Sequence, residues 1–256
     1  LAEAPPAFTV LRSFFARFDA LQILPRLALL AAGVLFIYGT GQQVGGVYAE
    51  FWQRQLVWIG LGLVLWLVLS LFDYHSYGIF ALALYPVSLF LLVYVLFFGV
   101  KFYGARRWLD IAGVSVQPSE IAKLLTVILA AWLFTTERFR ITRWRSVGLM
   151  LLLTGIPGFL IFREPNLSTA LTLVFGVFVV AFAAGLRLRV LLIGIIAIAV
   201  AAPIGYSMLR PYHKARIHVF LNPEADPLNK GWNQRQSELA VGSGGFSGKG
   251  FMQGTQ

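Results

Sequence analysis

The sequence predicts an all-α integral membrane protein, a polytopic helical bundle, and three observations carry that prediction. Hydrophobic residues make up 58% of the chain and charged residues only 12%, too little charge to clothe a soluble domain of 256 residues. Apolar runs of about 20 residues, the length that crosses a hydrocarbon core, recur along the chain. The basic residues gather in short loops between those runs, where membrane topology and anionic lipid account for them. The net charge of +10 is therefore read as placement in a lipid bilayer, and nucleic acid is not expected as a partner.

The candidate spans lie near residues 21–40, 55–72, 79–100, 118–135, 147–162, 168–185 and 190–209. The fourth begins at Pro118 and carries Glu120 and Lys123 inside it; the fifth is short and contains Gly155, Pro157 and Gly158. Discontinuous or half-buried helices suit both, because irregular backbone at membrane depth survives only where other protein or a wet cavity satisfies it. Ahead of the first span, Phe8, Leu11, Phe14, Phe15 and Phe18 recur at roughly helical spacing around Arg12 and Arg17. Residues 1–20 are accordingly read as a cytoplasmic or interfacial segment, with no short cleavable leader before the retained first span. Residues 21–209 form the expected transmembrane bundle, and the polar residues 210–256 an extracytoplasmic loop in which RQSELAVG, 235–242, has a helical pattern.

A cytoplasmic N-terminus places Arg12, Arg17 and Arg26 inside, together with the four arginines of ERFRITRWRS and with Arg187 and Arg189. The outer face then holds Lys101, Arg106 and Arg107 before the fourth span, Arg163 after the fifth, and Arg210, Lys214 and Arg216 after the seventh. A long translocated loop tolerates the last group. Arg106 and Arg107 lie in a short loop and need another reason, which an anionic ligand at the outer leaflet supplies.

The chain has no cysteine and three histidines without HExxH-like spacing, so thiolate metal sites are excluded and a zinc site is not expected. The strongest internal signal is RRWLDIAGVSVQPSEIAKLL, 106–125. Pro118 suits a first helical turn, and Glu120 and Lys123, three apart, share a helix face. Charges in an apolar span are costly and mark either a function or an internal partner. One reading is a plain intrahelical pair packed on a neighbour. The other is a site in which the N-H groups and positive dipole end of the helix, beside Arg106 and Arg107, suit a diphosphate.

FREPNLSTA, 162–170, is a second polar interruption. Arg163 and Glu164 are read there as loop charges near the headgroups, Pro165 and Asn166 as a shaped turn, and Ser168 and Thr169 as helix caps or back-bonding hydroxyls. The glycine-rich end, GSGGFSGKGFMQGTQ, does not cradle a nucleotide: Gly248-Lys249 is followed by Gly250 where a P-loop needs Ser or Thr, and a GxGxxG pattern from Gly242 meets Ser247 at its last position.

RRWLDIAGVSVQPSEIAK, EPNLSTAL and above all LNPEADPLNKGWNQRQSELAVGSGGFSGKGFMQGTQ together resemble the SEDS family of RodA and FtsW, with the GTQ ending nearer the RodA branch. The resemblance covers essentially every span. It implies an integral-membrane peptidoglycan glycosyltransferase of about ten helices that polymerises lipid II for cell elongation and rod shape, beside a class B penicillin-binding protein in the bacterial inner membrane. The 4-hydroxyl of one sugar attacks the anomeric carbon of another and undecaprenyl diphosphate leaves, so positioned cations and a general base are required. By this resemblance Arg106, Arg107, Lys123 and Arg216 are candidates for binding substrate. Glu120 and Lys123 are candidates for supporting the catalytic step, Glu120 by orienting Lys123 or by taking part in proton transfer. No protein metal site is expected; a divalent cation beside the diphosphate is compatible with this chemistry.

Two departures stand out. Asn166 and Ser168 occupy a turn where the family has a PDLGT-like motif. The family's essential extracytoplasmic aspartate lies shortly after GTQ, beyond Gln256, so the seven spans are expected to be part of a longer chain that is cut within the outer loop. Alternative functions are a lipid II flippase or transporter, and a non-enzymatic membrane scaffold for a penicillin-binding protein.

Overall fold

The computed structural model describes residues 20–254 apart from 103–104, 112, 209–210 and 223–230; the amphipathic pattern read in residues 8–18 lies outside the described residues. The elements are α1 (Ala20–Val44), α2 (Phe51–Ser70), α3 (Tyr74–Phe98), β1 (Val100–Phe102), β2 (Ala105–Ile111), β3 (Val114–Val116), α4 (Pro118–Thr135), α5 (Trp144–Arg163), α6 (Leu167–Ala183), α7 (Leu188–Met208), α8 (Pro211–Leu221) and α9 (Trp232–Gly244). All seven predicted spans are helices. Those of α1 to α5 are long and apolar enough to cross a membrane, while α6 and the Leu188–Val200 stretch of α7 are shorter. The protein is thus an all-α polytopic membrane protein. The segment 210–256, which showed little periodicity, contains α8 and α9, and α9 spans the predicted helical stretch 235–242.

The chain packs as two compact units. One contains α1, α2, α9 and the turn after it; the other contains α3 to α8 with the strands. In the second unit the inward residues of α3 are Gly78, Ala81, Tyr85, Ser88, Leu92 and Val95, alternating steps of three and four that keep one seam toward a partner helix. Leu129 of α4, Ile161 of α5 and Leu173 and Val177 of α6 complete a core centred on these four helices. Small residues let the backbones approach, as in other membrane bundles. At Gly78 a Cβ would lie 2.0 Å from Cγ of Trp132, so α3 accepts this indole only because position 78 has no side chain.

Both helices that carried interruptions in sequence are continuous, and the half-buried alternative is the one adopted: 44% of the apolar window of α4 and 39% of that of α5 are buried. The physical reason is clearest in α5. Pro157 has no N-H to give the carbonyl four residues back, that of Leu153. Tyr85 of α3 supplies the missing donor, its hydroxyl reaching the Leu153 carbonyl at 2.8 Å. A defect that would break a lone helix is repaired by its neighbour.

The connection between α3 and α4 is not a plain loop. It forms an antiparallel meander in the order β1-β2-β3, with Leu109 opposite Val116 and Asp110 opposite Ser115. The Asp110 carboxylate accepts the Gly113 N-H at 2.9 Å and closes the second turn. Period-two alternation in WLDI and VSV around Ala-Gly carries this signal, but the strands are too short to outweigh the helical spans around them. The meander packs against α3 and α4 and delivers the chain to Pro118, which takes the first turn of α4.

Candidate functional site

Successive side chains of a strand point to opposite faces, and β2 uses its two adjacent arginines to hold two different helix ends. Arg106 donates from Nη1 to the carbonyl of Phe97 at 2.5 Å, in the last turn of α3. Arg107 donates from Nε to the carbonyl of Glu164 at 3.0 Å and from Nη2 to that of Pro165, just past α5. The last carbonyls of a helix lack donors of their own and form the negative end of its dipole, so cations suit them. Lys214 of α8 repeats the arrangement, its Nζ donating to the Ser207 carbonyl at 2.8 Å in the last turn of α7. Part of the cation excess that the sequence assigns to an anionic ligand is therefore engaged with helix ends.

The carboxyl that sequence reading missed is Glu164. Taken there for a loop charge near the headgroups, it is fully buried, at 0% exposure, and neither carboxyl oxygen has a hydrogen-bond partner. Burial pushes its carboxyl up to about 8, against the opposing pull of the Arg107 guanidinium. Pro157, Ile161 and Glu164 are all buried, at steps of four and three, so Glu164 continues the inward stripe of α5, a stripe that shows only once the fold reveals which face of α5 turns inward. Its neighbour Arg163 is exposed and stacks over Phe159 at 5.9 Å. The predicted turn at 164–166 is present, with the Asn166 N-H donating to the Ile161 carbonyl at 3.3 Å. Asn166, and neither Ser168 nor Thr169, takes the N-cap of α6, without a side-chain capping bond.

Glu120 and Lys123 meet as predicted, Lys123 Nζ to Glu120 Oε2 at 2.8 Å. The ammonium side chain is 21% exposed and the carboxylate 50%, so the acid faces outward and holds the cation against the helix. Glu120 lies in the first turn of α4, where the dipole favours an anion. Ser119 beside it is fully buried with an unpartnered hydroxyl. The same end of α4 follows directly from the meander that carries Arg106 and Arg107, so strand and helix head set two cationic groups of residues at one end of this unit. Arg216 lies on α8; Arg210 is outside the described residues. Among the described residues no three His, Cys, Asp or Glu side chains gather as a metal-binding group would require.

Arranged in this way, the site can present positive charge and a carboxylate-oriented ammonium to an anionic group, while the buried Glu164 carboxyl lies near the Arg107 guanidinium. Comparison with known proteins gives the arrangement a context. The family profile FtsW/RodA/SpoVE, described as a cell cycle protein, matches residues 20–256. The chain is 34% identical over 240 residues to the peptidoglycan glycosyltransferase MrdB of Escherichia coli K12, covering 93% of this chain and 63% of that protein. It is 28% identical over 314 residues to the peptidoglycan glycosyltransferase RodA of Treponema pallidum, with 93% and 72% covered. The chain thus spans slightly less than two thirds of MrdB. Among solved structures, a chain of a peptidoglycan synthase complex that coordinates polymerization and crosslinking superposes with a TM-score of 0.69 at 35% identity, covering 86% of this chain and 65% of that one. The crystal structure of Thermus thermophilus RodA gives a TM-score of 0.55 at 34% identity, covering 68% of this chain and 57% of that one. With a family match running from α1 to the last residue and motifs that fall on the clasped helix ends, the chain belongs to the FtsW/RodA/SpoVE family of membrane proteins, the SEDS family.

Proposed function

We propose that the protein is a peptidoglycan glycosyltransferase that polymerises lipid II into glycan strands and releases undecaprenyl diphosphate. The observation that carries this reading is the 34% identity to MrdB sustained over 93% of the chain, which takes in the arginine pair and the Glu120–Lys123 pair. The chemistry is consistent with the site. When the sugar hydroxyl attacks the anomeric carbon, the bond to the diphosphate breaks and negative charge grows on the leaving group. Lys123, oriented by Glu120, stabilises that charge better than the ground state, which is where electrostatic preorganisation contributes. Arg106 and Arg107 contribute their field from the helix ends they hold, and Arg216 is assigned to the same anionic substrate. A divalent cation on the leaving diphosphate belongs to this proposal as a counterion of the substrate.

The setting follows from the same reading: a multi-pass protein of the bacterial inner membrane with a cytoplasmic N-terminus, working beside a class B penicillin-binding protein. The test is reconstitution of the protein at the full length of its relatives with fluorescent lipid II and a transpeptidation-dead partner. Glycan polymer supports the proposal. Movement of lipid II between leaflets without polymer would overturn it in favour of transport.

A further inference from the structure

In the first compact unit the chain after α9 lies over α1. Phe36 of α1, Ser243 near the end of α9, and Phe246, Lys249 and Phe251 of the glycine-rich segment line a cavity of about 560 Å3. Its walls are mostly apolar, with serine hydroxyls and a lysine among them, a lining that fits an amphiphile with an anionic head.

Three observations converge on the residues that roof this cavity. The side-chain amide Nε2 of Gln43, in the last turn of α1, donates to the carbonyl of Met252 at 2.5 Å, across 209 positions of sequence. One turn back, the Phe251 ring rests on Gly39, where a Cβ would stand 3.3 Å from its Cε2. Met252 itself has a φ of 60°, a left-handed conformation that a non-glycine residue keeps only where its surroundings hold it. The strained residue is the one whose carbonyl Gln43 grips.

We propose that Gln43 is a positioning residue: its amide pins residues 250–253 to the end of α1 and so fixes the roof of a cavity that receives the lipid-linked, phosphate-bearing substrate. This rests on the glycosyltransferase reading above. The pin acts on binding, because it sets the shape of a cavity wall and reaches no reacting atom.

The experiment uses the full-length protein, with lipid II as the substrate and its concentration varied. In Gln43→Ala, and in Gln43→Glu, which keeps the shape of the side chain and removes its N-H, KM rises about tenfold while kcat stays within about twofold. Gln43→Arg restores a donor and recovers most of the lost affinity. A wild-type KM in Gln43→Glu overturns the proposal. A second readout needs no activity. The exposed Ser247, changed to Cys, is labelled with a water-soluble maleimide, and the rate increases several-fold when Gln43→Ala is added. An unchanged rate overturns the pin. Wild-type protein that makes no polymer overturns the glycosyltransferase reading instead, and the labelling rate then decides the pin alone.

Discussion

Arg107 on β2 donates its Nε-H to the backbone carbonyl of Glu164 at 3.0 Å, 57 positions further along the chain, and the same guanidinium lies near a buried carboxyl whose oxygens have no partner. One side chain thereby ties the meander to the turn between α5 and α6. Removing it leaves two carbonyls and a buried acid without their cation. Arg107→Ala is expected to destabilise the purified protein by about 3 kcal/mol, since hydrogen bonds to charged groups contribute about 1.5–3 kcal/mol each and are not fully additive. Arg107→Lys recovers less than half, because an ammonium cannot reproduce the planar fork that spans two adjacent carbonyls. Equal unfolding midpoints for Arg107→Lys and wild type would rule out the clasp.

Glu164 gives stability a pH dependence of definite sign. Its carboxyl is raised from 4.5 to about 8, so between these values the folded protein keeps a proton that the unfolded chain has released. Stability from this group is greatest in acid, falls as pH rises through that window by up to about 1.4 kcal/mol per unit, and is level above it. Glu164→Gln removes the titration and flattens this part of the profile in pH-dependent unfolding. A slope that survives the substitution belongs to another group.

The repair of α5 by Tyr85 is open to a thermodynamic cycle. Tyr85→Phe deprives the Leu153 carbonyl of its donor and costs about 1 kcal/mol. Pro157→Ala returns a backbone N-H to that carbonyl, and in this background Tyr85→Phe becomes nearly neutral. A coupling energy close to zero would show that the hydroxyl does not stand in for the missing helical bond.

For Glu120 and Lys123, stability and activity are predicted to separate. An i,i+3 ion pair with a half-exposed carboxylate is worth about 0.5 kcal/mol or less, so Glu120→Ala and Lys123→Ala leave membrane insertion and the unfolding midpoint almost unchanged. Each lowers polymerisation of lipid II by about a hundredfold or more, the scale of losing one electrostatic donor, and fails to support growth. Polymerisation at wild-type rates in either variant returns the pair to a purely structural role.

The spans were legible because a bilayer imposes a length and an apolarity that few other environments require, and α1 to α7 fall on the predicted runs. The Glu120–Lys123 contact was legible for a similar reason: spacing on a helix is local geometry. Pro157 left two readings open, a discontinuous or a half-buried helix, and what selects the second sits in α3: the Tyr85 hydroxyl, 72 positions away. Arg106 and Arg107 read in sequence as ligands for an external anion, and the fold adds what spacing does not carry: both donate to carbonyls at the ends of α3 and α5.

What the sequence by itself determined is the class, the placement of the apolar helices, the pair on α4 and the family motifs, all set by local composition and spacing. Tertiary structure alone decided which face of each helix turns inward, because in a bilayer both faces are apolar and the hydrophobic pattern that marks a buried face in water is erased. It also decided which polar groups meet. Glu164 is a loop residue in sequence and a buried acid in the fold, and Gln43 finds Met252 only after 209 residues of chain have returned to α1. Such partners are chosen by the requirement that each buried or membrane-depth polar group be satisfied by whatever folding brings alongside, and spacing along the chain carries no record of that choice.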